Sequence, residues 1–298
     1  MQRIWFLSIL VIAFSCSEMK TSQEAENAVS DVAVTIEYSA SRDDSLFFDQ
    51  IMANITIPPD PGIPISHRMI EIGTAFLNTP YVASTLEAEG DEHLVVNLLE
   101  VDCTTFIEYV TALAICSHRG ETGFDDFITE LMTLRYRNGI IDGYPSRLHY
   151  FTDWLKDNER KGYLTIVSDS IGNKPMDTDV NFMTSNPQYY RQLQEYPAFA
   201  EVMAAIESRV SDYEMRYISK EVIDEKASLI NDGDIIAFVT SIEGLDVSHT
   251  GLAIHKNGRL HFLHASSVSG EVEITPVPLS EYLRDSQRIP GILVARVQ

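Results

Sequence analysis

The stretch "HTGLAIHKNGRLHFLHAS" runs from His249 to Ser266 and decides the fold. Two apolar runs flank Asn257-Gly258, the residue pair that fits a two-residue hairpin turn. That turn pairs Lys256 with Arg259, and so His261 with Ile254, His264 with Gly251 and Ser266 with His249. His264 then shares a sheet face with His249, one diagonal step away, about 7–8 Å and within reach of two imidazole rings. Gly251, opposite His264, leaves space on that face. His261 points to the other face. His255 stands six residues from His249, roughly 20 Å along the strand. A four-histidine metal site therefore fails on geometry. A pair remains, His249 with His264, to serve a metal completed elsewhere or a nucleophile.

Outward from the hairpin, "DIIAFVT" (234–240), "GEVEITPV" (270–277) and "ILVARV" (292–297) read as further strands, and "GYLTIVSDSIG" (162–172) holds a short one. Upstream the period is helical. "DDSLFFDQIMANI" (43–55), "SHRMIEIGTAFLNTP" (66–80, from a Ser cap), "FDDFITELMTLRY" (124–136) and "YPAFAEVMAAIESRVSDYEMRY" (196–217) are helix candidates, with the proline-rich connector "TIPPDPGIP" (56–64) between the first two. Helices followed by antiparallel strands give an α+β class. We expect a single domain over 43–298, interrupted by a large, mostly helical insertion at about 117–230.

The helix candidate that matters most begins in "VDCTTFIEYVTAL" (101–113). Phe106, Tyr109, Val110 and Leu113 form an amphipathic stripe, which Cys103 shares from the first turn. If the helix continues to Cys116, the two cysteines lie roughly 20 Å apart, beyond the reach of a disulfide. Cys103 is then either a small core residue or a nucleophile. As a nucleophile it would draw on the positive helix start and a neighbouring imidazolium, both of which favour a thiolate. Its backbone N–H is placed to stabilise an oxyanion.

The N-terminus "MQRIWFLSILVIAFSCS" carries Arg3 and an apolar run from Ile4 to Phe14. The run is too short to span a bilayer and suits a secretory signal, expected over 1–15. Cys16 after a small residue fits a bacterial lipoprotein box. The expectation is an exported, periplasmic protein, held to a membrane only by a lipid on Cys16 through a polar tether (16–42). The formal charge of −22 argues against a nucleic-acid partner.

Taken in order, "NTPYVASTLE", "VDCTTFIEYV", "GDIIAF" and "SHTGLAIHKNGRLHFLHAS" resemble the NlpC family of papain-like cell-wall cysteine amidases, over residues 74–115 and 232–267. The resemblance implies a nucleophile helix packed on an antiparallel sheet. It implies Cys103 as nucleophile, His249 as base and His264 as orienting residue, with no metal or organic cofactor. It places Tyr81 in the cleft and gives Asp102 a part in substrate binding, although Asp102 also suits a helix N-cap. The long Cys-to-His spacing and "RYRNGIIDGYPSRLHYFTDWL" (135–155) are similar to the N-acetylmuramoyl-L-alanine amidase-like subgroup. The expected reaction is cleavage between the muramyl lactyl group and L-Ala of peptidoglycan fragments. Arg147, His149 and Tyr150 are expected on a sugar-recognising wall. Two other functions fit the same residues: a γ-D-glutamyl-diaminopimelate endopeptidase and a non-catalytic peptidoglycan-binding lipoprotein.

Overall fold

The centre of the molecule is one helix, α3 (Cys103–Arg119), lying on an eight-stranded sheet. The structure, a computed structural model, describes residues 36–55, 63–177 and 179–298. The expected signal segment, Cys16, the tether up to residue 35 and most of the proline-rich connector lie outside the described residues. Among the described residues no helix is long and apolar enough to cross a membrane.

Helices α1 (Arg42–Asn54) and α2 (Ile65–Ala75) precede α3, and α4 (Phe124–Arg135) and α5 (Phe151–Arg160) follow it. The cap of α2 differs from expectation. Pro64, in extended backbone, takes the N-cap position and makes no side-chain cap bond, so Ser66 sits inside the first turn. Before α3 come two short strands, β1 (Tyr38–Ser39) and β2 (Leu94–Val95), which pair in parallel apart from the main sheet. Beyond α3 the strands are β3 (Leu164–Ile166), β4 (Lys174–Met176), β5 (Met215–Ser219), β6 (Ile235–Val239), β7 (Val247–Lys256), β8 (Arg259–Ser266), β9 (Glu271–Ile274) and β10 (Gly291–Val297). They run in the order β4-β5-β10-β6-β7-β8-β9, with β3 also on β10, and the pairings are antiparallel.

The hairpin has the expected register: Lys256 faces Arg259, Ile254 faces His261 and Leu252 faces Leu263. Asn257 and Gly258 both take positive φ, at 54° and 75°, as this turn requires. One irregularity was not anticipated. Phe238 pairs with His249 but Val239 pairs with Val247, so Ser248 is an extra residue in β7. Such a bulge re-aims the neighbouring side chain, here that of His249.

Both faces of the sheet are covered, so β6 is a continuous buried run instead of an alternating one. Ile235, Ala237, Val239, Leu252, Leu263 and Leu293 join Phe106 and Leu113 of α3 in the main core. Ile236, Phe238, Ala253, Phe262, Ile292 and Val294 pack on the opposite face with Leu279 and Leu283. A Cβ on Gly73 of α2 would come within 2.9 Å of Leu252 and 3.0 Å of Leu263, so that helix lies directly on the β7–β8 hairpin.

The stripe expected on α3 is wider in the fold. Every residue from Thr105 to Ser117 is buried, because α4 closes the side away from the sheet. Glu108 and Arg135 form a buried ion pair at 2.6 Å, and Arg135 also donates to the Val95 carbonyl. Paired in this way, the buried charges hold α4 and β2 against α3. Cys116 is buried and, like Cys103, free.

The 117–230 region is less helical than expected. Besides the short strand expected within 162–172, which is β3, it contributes β4 and β5 to the sheet. The expected helix 196–217 ends at Ser211, as helix α6 (Pro197–Ser211), and Met215–Ser219 turns into β5. Pairing with β4 overrides the helical periodicity there, with Met215 facing Met176 and Tyr217 facing Lys174. Strand β10 takes the next two residues: Ser219 faces Gly291, and a Cβ on Gly291 would come within 2.2 Å of the Ile218 carbonyl oxygen. A separate cluster under this region gathers Tyr144, Tyr150, Met183, Leu193, Met203 and Val210.

Candidate active site

Cys103 occupies the first position of α3, half-buried. Asp102, in extended backbone, is the N-cap, and its Oδ1 accepts from the Thr104 and Thr105 amides at 3.0 and 2.8 Å. The Thr105 hydroxyl accepts from the Asp102 N–H at 2.9 Å, which closes the capping box. The cap uses the amides of Thr104 and Thr105 and leaves that of Cys103 outside it.

Backbone bonds carry Tyr81 to the same place. Its N–H donates to the Gly270 carbonyl at 2.8 Å, and Val82 N–H and Val101 O join at 3.0 Å. Tyr81 therefore bridges the end of β9 and the residue two before Cys103. Burial first, and then negative charge at Cys103 and Asp102, pushes the Tyr81 phenol up to about 12. It is a protonated donor at any neutral pH.

Strand β7 meets α3 at Thr250, whose hydroxyl donates to the Cys103 carbonyl at 2.8 Å. The neighbouring residue is His249. Its Nε2 lies 2.7 Å from Nδ1 of His264, with the two rings edge-to-face at 89°. Since Nε2 is engaged, Nδ1 is the remaining nitrogen of His249. Aromatic rings hold the pair. Phe262 stacks on His264 at 4.6 Å between centroids, and Phe238 lies 5.6 Å from His249. The space at Gly251 goes to Phe262: a Cβ there would meet that ring at 2.6 Å. The other two hairpin histidines are occupied elsewhere, His255 with Asp232 at 2.6 Å and His261 with the Thr275 carbonyl at 2.9 Å. Among the described residues no group of three or more His, Cys, Asp and Glu converges in a way that would hold a metal ion.

The electrostatics differ from the thiolate–imidazolium expectation. Burial, followed by the Asp102 carboxylate, pushes the Cys103 thiol up to about 11. Hydrogen bonds from the Thr250 backbone and from the Thr104 and Thr250 hydroxyls oppose this without overcoming it. Burial lowers His249 to about 4, and burial with the neighbouring His249 lowers His264 to about 3. The resting pair at neutral pH is a thiol and a neutral imidazole. The helix start is outweighed because desolvation penalises the charged forms of both partners.

The three residues expected on a sugar wall lie in the 117–230 region. Arg147 is buried, with Nη2 2.8 Å from Glu87 and Nε 3.3 Å from Glu92, and its guanidinium lies over Tyr144. His149, half-buried, has Nε2 2.9 Å from the Tyr144 carbonyl, and burial lowers its pKa to about 3. Tyr150 is buried; its hydroxyl donates to Glu207 at 2.6 Å and accepts from the Met183 N–H at 2.9 Å. A cavity of about 290 Å³ in this region is lined by Glu92, Tyr144, Tyr196 and Phe199 among others, and none of Cys103, His249 and His264 lines it.

Sequence reasoning overlooked Thr250 and Thr104 beside the thiol, Phe238, Phe262 and Tyr282 around the histidines, and Glu273. Thr250 and Thr104 were visible as the residues after His249 and Cys103, and Phe262 lies on the expected hairpin. Phe238, Tyr282 and Glu273 come from strands and a helix whose pairing the sequence does not state.

Known proteins resemble this chain over most of its length. A family model described as N-acetylmuramoyl-L-alanine amidase-like (AmiA-like) matches residues 71–292. A solved N-acetylmuramoyl-L-alanine amidase from Bacteroides uniformis is 40% identical, covers 78% of this chain and 99% of its own, and superposes with a TM-score of 0.76. A Bacteroides fragilis structure described as a candidate xylanase is 41% identical over 75% of this chain and 98% of its own, with a TM-score of 0.72. A Legionella pneumophila protein, 22% identical over 86% of this chain and 94% of its own, shares the fold with a TM-score of 0.64. No curated protein matches. With about three quarters of its length under the family model, the chain belongs to the AmiA-like, N-acetylmuramoyl-L-alanine amidase-like family.

Proposed function

We propose that this protein is a cysteine amidase of the papain-like, NlpC type. Its substrate is a peptidoglycan fragment, cleaved at the amide between the muramyl lactyl group and L-Ala. The observation that carries the reading is the meeting of Cys103, at a capped helix start, with Thr250, next to a His249 whose ring is set by His264. The family description and the amidase from Bacteroides uniformis support the choice of bond.

In this mechanism His249 Nδ1 takes the Cys103 proton as Sγ attacks the lactyl carbonyl. Because the resting thiol and imidazole are both neutral, proton transfer and attack are coupled. The Cys103 N–H and the protonated Tyr81 hydroxyl are the donors for the oxyanion. The intermediate collapses as His249 returns the proton to the L-Ala amine, which leaves. A water, deprotonated by His249, then attacks the thioester and releases the lactyl carboxylate and the free thiol. The chain acts outside the cytoplasm, anchored through Cys16.

Incubation of the purified protein and of Cys103→Ala with a muramoyl-tripeptide, read by mass spectrometry, tests the reading. The expected products are the free sugar acid and a peptide beginning with L-Ala. Release of a diaminopimelate-initiated fragment would assign the other bond, and equal turnover by Cys103→Ala would remove the thiol mechanism.

A further inference from the structure

One buried atom of the site has no hydrogen-bond partner among the described residues. His264 is 1% exposed, its Nδ1 faces His249, and its Nε2 is that buried, unbonded atom. A neutral ring that accepts at Nδ1 must carry its proton on Nε2. A buried donor left unpaired costs about 1–3 kcal/mol, so an acceptor within reach would be engaged.

Strand β9 presents one. Glu273 is the register partner of His264, and directly paired residues project on the same face. Its Oε1 lies 3.9 Å from His264 Nε2, and its side chain keeps 31% of its surface in water. That separation is too long for a hydrogen bond, and a shift of about 1 Å by a partly solvated side chain brings it to charge-assisted range. The other titratable groups facing His264 are His249 from β7 and Tyr282 from the helix Leu279–Leu283, with ring centroids at 4.9 and 5.9 Å. Glu271, two residues along β9, stands opposite Ser266.

We propose that Glu273 is a positioning residue of the amidase: its carboxylate takes the Nε2–H of His264 and so holds the tautomer in which Nδ1 accepts from His249. The inference rests on the cysteine-amidase reading above. Glu273 gains no proton in the cycle. The proton moves from Cys103 Sγ to His249 and on to the leaving amine. While His249 is charged, part of that charge is felt across the short bond to His264, and the Glu273 carboxylate favours it.

The test compares wild type, Glu273→Ala, Glu273→Gln and Cys103→Ala on a muramoyl-tripeptide. The readouts are kcat, KM, the pH profile of kcat/KM, thermal melting, and imidazole 15N shifts that report tautomers. Glu273→Ala should lower kcat about tenfold, less than the about 10²–10⁴ supplied by general acid–base transfer itself, with KM within about twofold. Loss of the carboxylate lowers the basicity of the histidine pair, so the acid limb moves to lower pH. Glu273→Gln keeps an acceptor without charge. It should restore the His264 tautomer and part of kcat while leaving the limb displaced. An unchanged tautomer and pH profile in both variants would overturn the proposal. Should Glu273→Ala fail to fold, Glu273→Gln and the 15N spectra decide it. Turnover by Cys103→Ala overturns the amidase reading instead, and the tautomer can be measured in that background without activity.

Discussion

Two buried polar groups of this molecule contrast: the histidine pair on β7–β8, and the Arg147–Tyr150 cluster in the 117–230 region. In the cluster each of these side chains has a charged or hydrogen-bonded partner, although Arg147 Nε makes an ion-pair contact without a hydrogen bond. Arg147 meets Glu87 and Glu92, and Tyr150 bonds Glu207 and the Met183 amide. At the pair, His249 retains one nitrogen and His264 keeps an unpaired Nε2. Closed networks add rigidity. Open valences leave room for a proton or a substrate. The difference separates residues that hold the fold from residues that can do chemistry.

The sharpest break in that contrast is Cys103→Ala. We expect a loss of about a thousandfold or more in muramoyl-amide turnover, with the melting temperature little changed, because Cys103 is half-buried at a helix end. Turnover assays beside thermal melts check both halves.

Arg147→Met should show the opposite profile. It strands the Glu92 carboxylate, whose side chain is only 7% exposed. Removing one partner of a buried pair costs about 3–5 kcal/mol, so chemical denaturation should report a large loss while kcat of the folded fraction holds. A rise in KM at unchanged stability would move Arg147 to the substrate wall.

Tyr150→Phe removes a hydroxyl that donates to Glu207 and accepts from Met183. The expected loss is about 1–3 kcal/mol of stability with kcat/KM unchanged. A selective fall in kcat/KM would make this tyrosine a substrate contact.

The smallest effect concerns Asp102, the second-largest cause of the raised Cys103 pKa. With the thiol held near about 11, alkylation of wild-type Cys103 should rise steadily from pH 7 toward 10. Asp102→Asn keeps a capping side chain and removes the charge. The alkylation profile should move to lower pH, since less negative charge opposes the thiolate. A wild-type plateau near pH 6–7 would instead indicate a preformed thiolate–imidazolium pair.

Much of this contrast was legible before the fold. Asn257-Gly258 set the register that brings His249 to His264, since a two-residue turn leaves one pairing open to the strands. The Asp102–Cys103 helix start was equally plain from capping chemistry. The helix forecast for 196–217 failed over its last residues because β4 supplied a partner for Met215–Tyr217, and β10 one for the two residues that follow. Local period cannot register partner strands that lie about forty residues upstream and seventy downstream in the chain. The bulge at Ser248 escaped for the same reason, since it exists only against β6.

By itself, then, the sequence determined the hairpin, the capped cysteine and the passage from helices to C-terminal strands, all of which depend on backbone geometry within a few residues. Only the tertiary structure decided that β3, β4 and β5 extend the sheet, that Thr250 meets Cys103, and that Glu273 stands beside His264. It also decided the protonation of the pair. Helix position and residue type favoured a thiolate, whereas burial, a property of the whole fold, makes both the thiol and the imidazole neutral at rest.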